Sequence, residues 1–566
     1  MDYYSKHAGT LSERYNRLDP EDVHQSWKHL IVNKNGLALD VGAGSGRDSR
    51  WLASHHWDIV AVEPCKNLRE FAQENNTISS SSITWIDDKL PDLKKVRALD
   101  YSFNLIVVSA VWMHILEKDR KRSFRILSDL LAPDGILVIT LRHGTNANEN
   151  SERNFYQVSR EELEHFARQR AVISVSSSYD PDKLNRNDVK WETCVFQLPD
   201  DGTGNLPLLR HIIVNDNKAA TYKLGLLRAL IRIAEGCPGM VIKRTEAFVS
   251  IPFGLVALYW IKLYMPLVLK NHLIQAQRHN PKTQYGLGFA KLNHFYALSN
   301  FSPYDLRIGA EFNKEQASII IGALNDVCTT IKNMPAHFIT YPGQEQQVFQ
   351  CNKLSAKKTK GSWQINKHTL SQFGVFHIPI KLWSTMGNFA CWLEPAIINE
   401  WVRLMMGYEL RYDRSLYDKA MQWEEGIRDT SKVRKRVEVL LNIKESVKCV
   451  WTNSNLKGNA FHVDHCFPWS RWANNDLWNL MPATIKANQQ KSEKLPSAAT
   501  MELSKERILQ WWDIAYLNSE YKERFLLESE AALPGLGENT QTLGSIFGAV
   551  KHQRNRLRVN QQLVEW

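Results

Sequence analysis

The chain has no dense cysteine framework. Its eight cysteines stand at 65, 194, 237, 328, 351, 391, 449 and 466 in 566 residues, with no paired Cys-x-x-Cys spacing. That scatter argues against a disulfide-stapled fold and, near the C-terminal end where Cys449 and a lone Cys466 stand, against a structural zinc knuckle. No uninterrupted run of about 20 apolar residues occurs. The nearest candidate, Ala247 to Leu269, contains Pro252, Lys262 and Pro266, so a buried helix is expected there and no membrane partner. No secretory leader precedes the cysteines, and reduced thiols in a cytoplasmic setting are the expectation. Internal repeats and long low-complexity tracts are also missing.

What is present is ordinary globular composition with a basic excess. Hydrophobic residues make up 43% and charged residues 23%; Lys plus Arg is 71 against 60 for Asp plus Glu, a formal charge of +11. That balance favours a polyanionic partner without specifying one. The length calls for two to four domains, expected at 1–200, 201–440, 441–500 and 501–566.

From about residue 36 to 198, short apolar runs alternate with helical segments, the pattern of an α/β domain with a mainly parallel sheet. The expected strands are Leu37 to Val41, Ile59 to Val62, Ser82 to Ile86, Leu105 to Ser109, Ile136 to Leu141, Val172 to Ser176 and Thr193 to Gln197. A polar stretch from Pro199 to Pro207 has linker composition. Residues 208 to about 440 read as mostly helical, with a loop or short hairpin near Tyr341 to Gly361. The segment Leu503 to Leu527 is helical again.

Two constellations carry chemistry. In the first, Asp40-Val-Gly-Ala-Gly-Ser-Gly46 follows a strand and precedes an amphipathic helix, so backbone can approach a ligand at the helix N-terminus. Glu63 closes the next strand, where an acid can accept from ribose hydroxyls. In the second, Asp464 and His465 stand on a short apolar run that reads as a strand, Asn479 follows in a loop, and Asn488 and Lys491 lie on a stretch with helical spacing. A carboxylate, an amide oxygen and substrate phosphate suit Mg2+ (or Mn2+), leaving the adjacent imidazole to take a proton from water.

The first constellation resembles motif I of class I S-adenosylmethionine-dependent methyltransferases, and the resemblance continues through Trp85 to Pro91, Ser109 to His114 and Leu130 to Gly135. It implies a seven-stranded Rossmann-like domain that binds S-adenosyl-L-methionine. Gly42, Gly44 and Gly46 would lie at the cofactor's amino-acid end, Glu63 at the ribose, Asp87 or Asp88 at the adenine amine, and Ser109 near the transferred methyl, with Asp40 also among the cofactor-binding residues. Neither the Pro-Pro-aromatic motif of amino-group DNA methyltransferases nor the Pro-Cys nucleophile of cytosine-C5 enzymes occurs at the matching place, so the acceptor stays open; Trp112 and His114 are candidates to hold or deprotonate it.

The second constellation resembles the HNH (ββα-metal) nucleases over roughly residues 445 to 500. By that resemblance His465 is the general base, Asp464 and Asn488 are metal ligands, and Asn479 orients the base. Lys491, Arg471 and His462 are candidate nucleic-acid contacts, with DNA favoured over RNA. The basic run Ser431 to Val437 leads into this module, and Trp469, Trp472 and Trp478 surround it. The leading expectation is a metal-dependent endonuclease fused to a methyltransferase-fold domain and serving defence against foreign DNA. Two alternatives stay open: the methyltransferase is the only working enzyme and the HNH module binds nucleic acid, or an S-adenosylmethionine sensor gates the nuclease.

Overall fold

The computed structural model describes residues 2–32, 34–74, 83–184, 186–200, 203–277, 289, 291–409, 412–422, 428–536, 542–561 and 563–566. The chain divides into two compact units, Met1–Gly204 and Asn205–Trp566.

The first unit is built on seven strands: β1 (Gly36–Val41), β2 (Trp57–Val62), β3 (Ile83–Ile86), β4 (Phe103–Val108), β5 (Leu131–Gly144), β6 (Ile173–Pro181) and β7 (Val189–Gln197). Their order is β3-β2-β1-β4-β5-β7-β6, with β7 antiparallel to β5 and to β6 and the other pairs parallel. Apolar runs form these strands because both sheet faces are covered. Leu39 and Val41 enter one core cluster and Ala38 the opposite one, as alternation along a strand requires. Each expected strand has its counterpart; Ser82 lies outside the described residues, and Ser109 falls one residue beyond β4. Strand order reverses between β1 and β4, which opens a crevice at their C-terminal ends.

In the second unit, helices Tyr222–Gly236, Phe253–Met265, Lys314–Asn333 and Ala390–Tyr408 supply much of one large core. Every residue of Phe253–Met265 is buried. The segment Phe253–Lys270 is long and apolar enough to cross a membrane, and 89% of it is buried inside the protein. Alongside the expected helices stand β8 (Lys243–Arg244), β9 (Phe248–Pro252), β10 (Glu311–Phe312), β11 (Gln350–Lys353), β12 (Trp363–Gln364) and β13 (Gly374–Pro379). They form a four-stranded sheet, β11-β13-β9-β8, and a separate pair, β10-β12. The stretch expected as a loop or hairpin thus holds β11, which pairs with β13.

The C-terminal part of this unit holds the pair β14 (His462–His465) and β15 (Leu480–Ala483) and the helix Ile485–Lys491. Val433, Val437 and Leu440 share a core with Trp451, Phe461 and Trp478, and with Trp512, Phe525 and Val550. The divisions drawn from sequence at 440/441 and 500/501 therefore run through continuous packing. Each such large apolar side chain contributes roughly 1.5–3 kcal/mol on burial, so the ββα element is held by residues well outside its own motif.

Candidate functional sites

In the first unit, the turn after β1 needs glycine at Gly42. Its φ is +73°, and a Cβ there would come within 2.3 Å of Val111 Cγ2. Glu63, at the end of the β2 segment, accepts the Gly44 N–H at 2.9 Å and the Cys65 N–H at 2.8 Å. Burial raises its pKa against those two bonds. Glu63 therefore shapes the glycine loop while remaining on the wall of a cavity of about 670 Å³. Gly42, Gly44, Asp88 and Ser109 line the same cavity.

Three expected contacts stand elsewhere. Asp40 is buried behind the loop and accepts from Ser49 Oγ at 2.6 Å; burial, with Asp48 nearby, raises its pKa to about 7. Gly46 caps the helix Arg47–Ser54 in the left-handed region. Asp87 pairs with Arg69 at 3.2 Å. None of these three is among the cavity-lining residues. Asp88 does line it, yet its carboxylate accepts from the N–H groups of Lys89, Lys95 and Val96. Beside Ser109, Ala110 is held at φ +57° by a 2.7 Å bond from its N–H to Thr140 Oγ1, a strained backbone of the kind that clusters at functional sites.

The other end of the cavity contains groups that sequence reasoning missed. Arg153 donates to the hydroxyls of Tyr4 at 2.9 Å and Tyr15 at 3.1 Å, and Tyr4 lies 3.1 Å from His114 Nε2. Burial raises Tyr4 to about 12 and, helped by Arg153, lowers His114 to about 4. At neutral pH the phenol keeps its proton and the imidazole is neutral. Trp112 is wholly buried and does not line the cavity. Tyr4 and Tyr15 come from N-terminal helices that precede the first motif, and no spacing in the sequence links them to Arg153.

In the second unit, β14 and β15 pair with Asp464 opposite Met481 and His465 opposite Leu480. The following helix is capped by Thr484. His465 is buried; its Nε2 lies 3.2 Å from Asn475 Oδ1. The same oxygen accepts the Asp429 N–H at 3.1 Å, which establishes that the amide turns its oxygen toward the ring. The imidazole proton accordingly resides on Nε2, and the buried Nδ1 has no hydrogen-bond partner among the described residues. Burial lowers the His465 pKa to about 4, so this nitrogen is a free acceptor at neutral pH. The ring of Trp469 stands edge-on at 5.2 Å.

Asn479 does not touch that ring by any bond in this arrangement. Its Oδ1 accepts the Phe467 N–H at 2.9 Å and its Nδ2 donates to Asn474 O at 3.0 Å, lacing the two ends of the loop. Asn475 is the side chain that orients His465. Lys491, expected at a phosphate, is fully buried and donates to Asp464 Oδ1 at 3.2 Å and to the His465 carbonyl at 2.6 Å. Trp451 Nε1 donates to the other Asp464 oxygen at 2.9 Å. Burial raises the Asp464 pKa, opposed by Lys491. Asn488 Nδ2 lies 2.9 Å from His462 Nδ1, and Arg471 is exposed. Trp472 and Trp478 pack on Phe467 within the core.

Among the described residues no group of three or more His, Cys, Asp or Glu is arranged to hold a metal. The chemistry on offer is one carboxylate, one amide and one imidazole, from Asp464, Asn488 and His462. Each carboxylate oxygen retains a lone pair beyond its present bond. This donor set fits a hard divalent cation that keeps several waters.

Comparison with known proteins places three families along the chain: a methyltransferase domain over residues 39–139, a domain of unknown function (DUF8808) over 202–422, and an HNH endonuclease domain over 449–497. A Bacillus subtilis (strain 168) protein, YqeM, named among the methyltransferases, is 24% identical over 121 residues, 21% of this chain and 47% of that protein. An uncharacterized methyltransferase of Exiguobacterium sibiricum is 23% identical over 149 residues, 24% of this chain and 64% of its own length. The chain thus spans about half to two thirds of these relatives. Magnesium protoporphyrin IX methyltransferase of Synechocystis PCC 6803, solved with bound SAH, superposes with a TM-score of 0.28 at 13% identity, covering 35% of this chain and 97% of that one. The chain carries domains of two enzyme families, a methyltransferase domain near its N-terminal end and an HNH endonuclease domain near its C-terminal end, with a domain of unassigned function between them.

Proposed function

We propose that the chain hydrolyses nucleic-acid phosphodiester bonds, DNA foremost, at the HNH site, and binds S-adenosylmethionine in the cavity of its first unit. The observation that carries the nuclease reading is His465, a buried neutral imidazole whose Nε2 is held by Asn475 and whose Nδ1 is without a partner among the described residues. That nitrogen can take a proton from water as the water attacks phosphorus. Asp464 and Asn488 would hold a Mg2+ or Mn2+ ion, which when bound supplies charge stabilisation at the phosphate. Lys491 keeps Asp464 and the His465 backbone in register from within the core.

At the other site, Gly42 and Gly44 let backbone approach a ligand, and Glu63 offers its outer lone pairs to ribose hydroxyls. S-adenosylmethionine, when bound, supplies an electrophilic methyl group. Tyr4, His114 and Arg153 form a hydrogen-bonded group on the cavity wall, where they would position the acceptor. Pairing of a modifying domain with a cutting domain supports a role in defence against foreign DNA in the cytoplasm.

A second reading has the HNH module bind nucleic acid while only methyl transfer is catalysed; the Asp464 carboxylate, already neutralised by Lys491, favours it. Plasmid incubated with the protein and Mg2+, with and without S-adenosylmethionine, separates the readings. Cleavage by the wild type and none by His465→Ala supports the nuclease. Labelled methyl transfer to nucleic acid without cleavage supports the second reading. Cleavage only in the presence of the cofactor, with no labelled acceptor, makes the first unit a sensor.

A further inference from the structure

The cavity of the first unit extends well past its glycine loop. Gly42 follows β1, Glu63 follows β2 and Ser109 follows β4, while Thr140 and Arg142 rise from β5 and Trp191 from β7, and all six line it. In the order β2-β1-β4-β5-β7, at about 4.8 Å per strand, the floor runs roughly 19 Å. Room for a second ligand therefore lies over β5 and β7. Thr140 and Arg142 are two residues apart on one strand face, opposite Thr193 and Trp191. Arg142 is buried, and its guanidinium is set from outside the cavity: Nη1 donates to Asn150 Oδ1 at 3.1 Å and Nη2 to Glu149 Oε2 at 2.5 Å, and neither Asn150 nor Glu149 lines the cavity. Arg153 donates to the other Glu149 oxygen at 3.0 Å, and Arg186 lies 3.5 Å from that same oxygen. The Phe155 ring braces two of these groups, 4.6 Å from the Arg142 guanidinium carbon and 4.7 Å from that of Arg153.

Arg142, Arg153 and Arg186 all line the cavity. Against these three guanidiniums stand two carboxylates, Glu149 and Asp182, the latter accepting from Arg186 Nη2 at 2.7 Å. Asp180 and Lys183 on the same wall offset one another, and Glu63 and Asp88 belong to the β2 and β3 end. Burial lowers the Arg142 pKa, with Arg186 and Arg153 adding to it and Glu149 opposing. Arg142 Nε is buried and has no hydrogen-bond partner among the described residues. A buried cationic donor without an acceptor is costly, and an anionic oxygen is the partner that satisfies it best. We propose that the second ligand of this cavity, the methyl acceptor, is a small molecule carrying a carboxylate or phosphate, and that Arg142, with Arg153 and Arg186, binds that group. The size agrees: about 670 Å³ falls in the range of small-ligand pockets, roughly 300–1,000 Å³. Arginine suits the role because its planar fork matches two anionic oxygens and keeps its charge. The assignment rests on the S-adenosylmethionine reading above and adds the chemical class of the acceptor.

The test uses the full chain saturated with S-adenosylhomocysteine, into which inorganic phosphate or, in a separate arm, acetate is titrated by calorimetry at an ionic strength held constant with chloride. The wild type is expected to bind at least one of the two anions saturably, and the tighter one names the group. Arg142→Gln is expected to weaken that binding about 10-fold or more, the scale of losing charge-assisted hydrogen bonds, while S-adenosylhomocysteine binding is retained. Arg186→Gln, at a half-buried position, is expected to weaken it in the same direction and carries the test if Arg142→Gln does not bind S-adenosylhomocysteine. Anion affinity unchanged in variants that bind S-adenosylhomocysteine overturns the assignment, as does the absence of saturable anion binding by a wild type that binds it. A wild type that does not bind S-adenosylhomocysteine removes the cofactor reading and this assignment with it.

Discussion

Asparagine 479 and asparagine 475 are four residues apart and do different work. Asn479 is fully buried, and its amide satisfies one backbone N–H and one backbone C=O; Asn479→Ala leaves both orphaned, at roughly 1–3 kcal/mol each. Asn475 is half-buried and its oxygen serves the base. Thermal unfolding should therefore show a lower midpoint for Asn479→Ala, whose two orphaned backbone groups are both in the core, than for Asn475→Ala, while Asn475→Ala should lose cleavage about 10-fold or more. Equal stability losses would contradict this division of labour. Residue types at the site were legible in the sequence, because the Asp-His, Asn-Leu and Asn-x-x-Lys elements recur in order. Which nitrogen and which oxygen meet was not, since Asn474, Asn475 and Asn479 are chemically alike until the loop closes. Lys491 shows the same limit: its helical position was read correctly, but only packing reveals that its ammonium points inward to Asp464.

At the level of elements, the strands of the first unit were readable because continuous apolar runs buried on both faces leave a strong pattern. The sheet of the second unit was not, because β8 and β12 are two residues long and the exposed positions of β11 carry polar side chains. The N-terminal helices that bring Tyr4 and Tyr15 to the cavity are short and polar, with no periodicity to connect them to a site formed 100 residues later. The glycine turn after β1 gives the sharpest element-scale prediction. A Cβ at Gly42 meets Val111 at 2.3 Å, whereas at Gly44 the nearest atom is a backbone oxygen at 3.9 Å, and both positions have positive φ. Gly42→Ala should weaken S-adenosylmethionine binding, measured by calorimetry, about 10-fold or more, and Gly44→Ala distinctly less. The reverse order would mean that the turn does not form the cofactor wall.

For the molecule as a whole, the length and composition implied several domains, and the structure gathers them into two compact units. Within the second unit the HNH element is too small to bury its own tryptophans and recruits the flanking helices Ser431–Asn442, Ala498–Trp512 and Leu543–Gln561 into one core. Within that unit, Gly239 packs so tightly that a Cβ would lie 1.8 Å from the Glu530 carbonyl, tying the middle domain to the C-terminal helices. The stability of the first unit should depend on pH through Asp40. Burial, with Asp48 beside it, raises its pKa to about 7, above the unfolded value, so folding is disfavoured progressively as pH rises from about 4 to 7. Asp40→Asn should be no more stable than wild type at pH 4, gain through that window, and hold a constant advantage above pH 7 in thermal unfolding; a pH-independent difference would contradict the buried carboxyl. The central claim, that the HNH site cuts nucleic acid with His465 as its base, is tested most directly by single-turnover nicking of supercoiled plasmid in Mg2+ by the wild type and by His465→Ala, with binding of S-adenosylmethionine measured in both as a check on folding. Nicking by the wild type, its loss in His465→Ala and equal cofactor binding are the predicted result; undiminished nicking by a folded His465→Ala protein would contradict it.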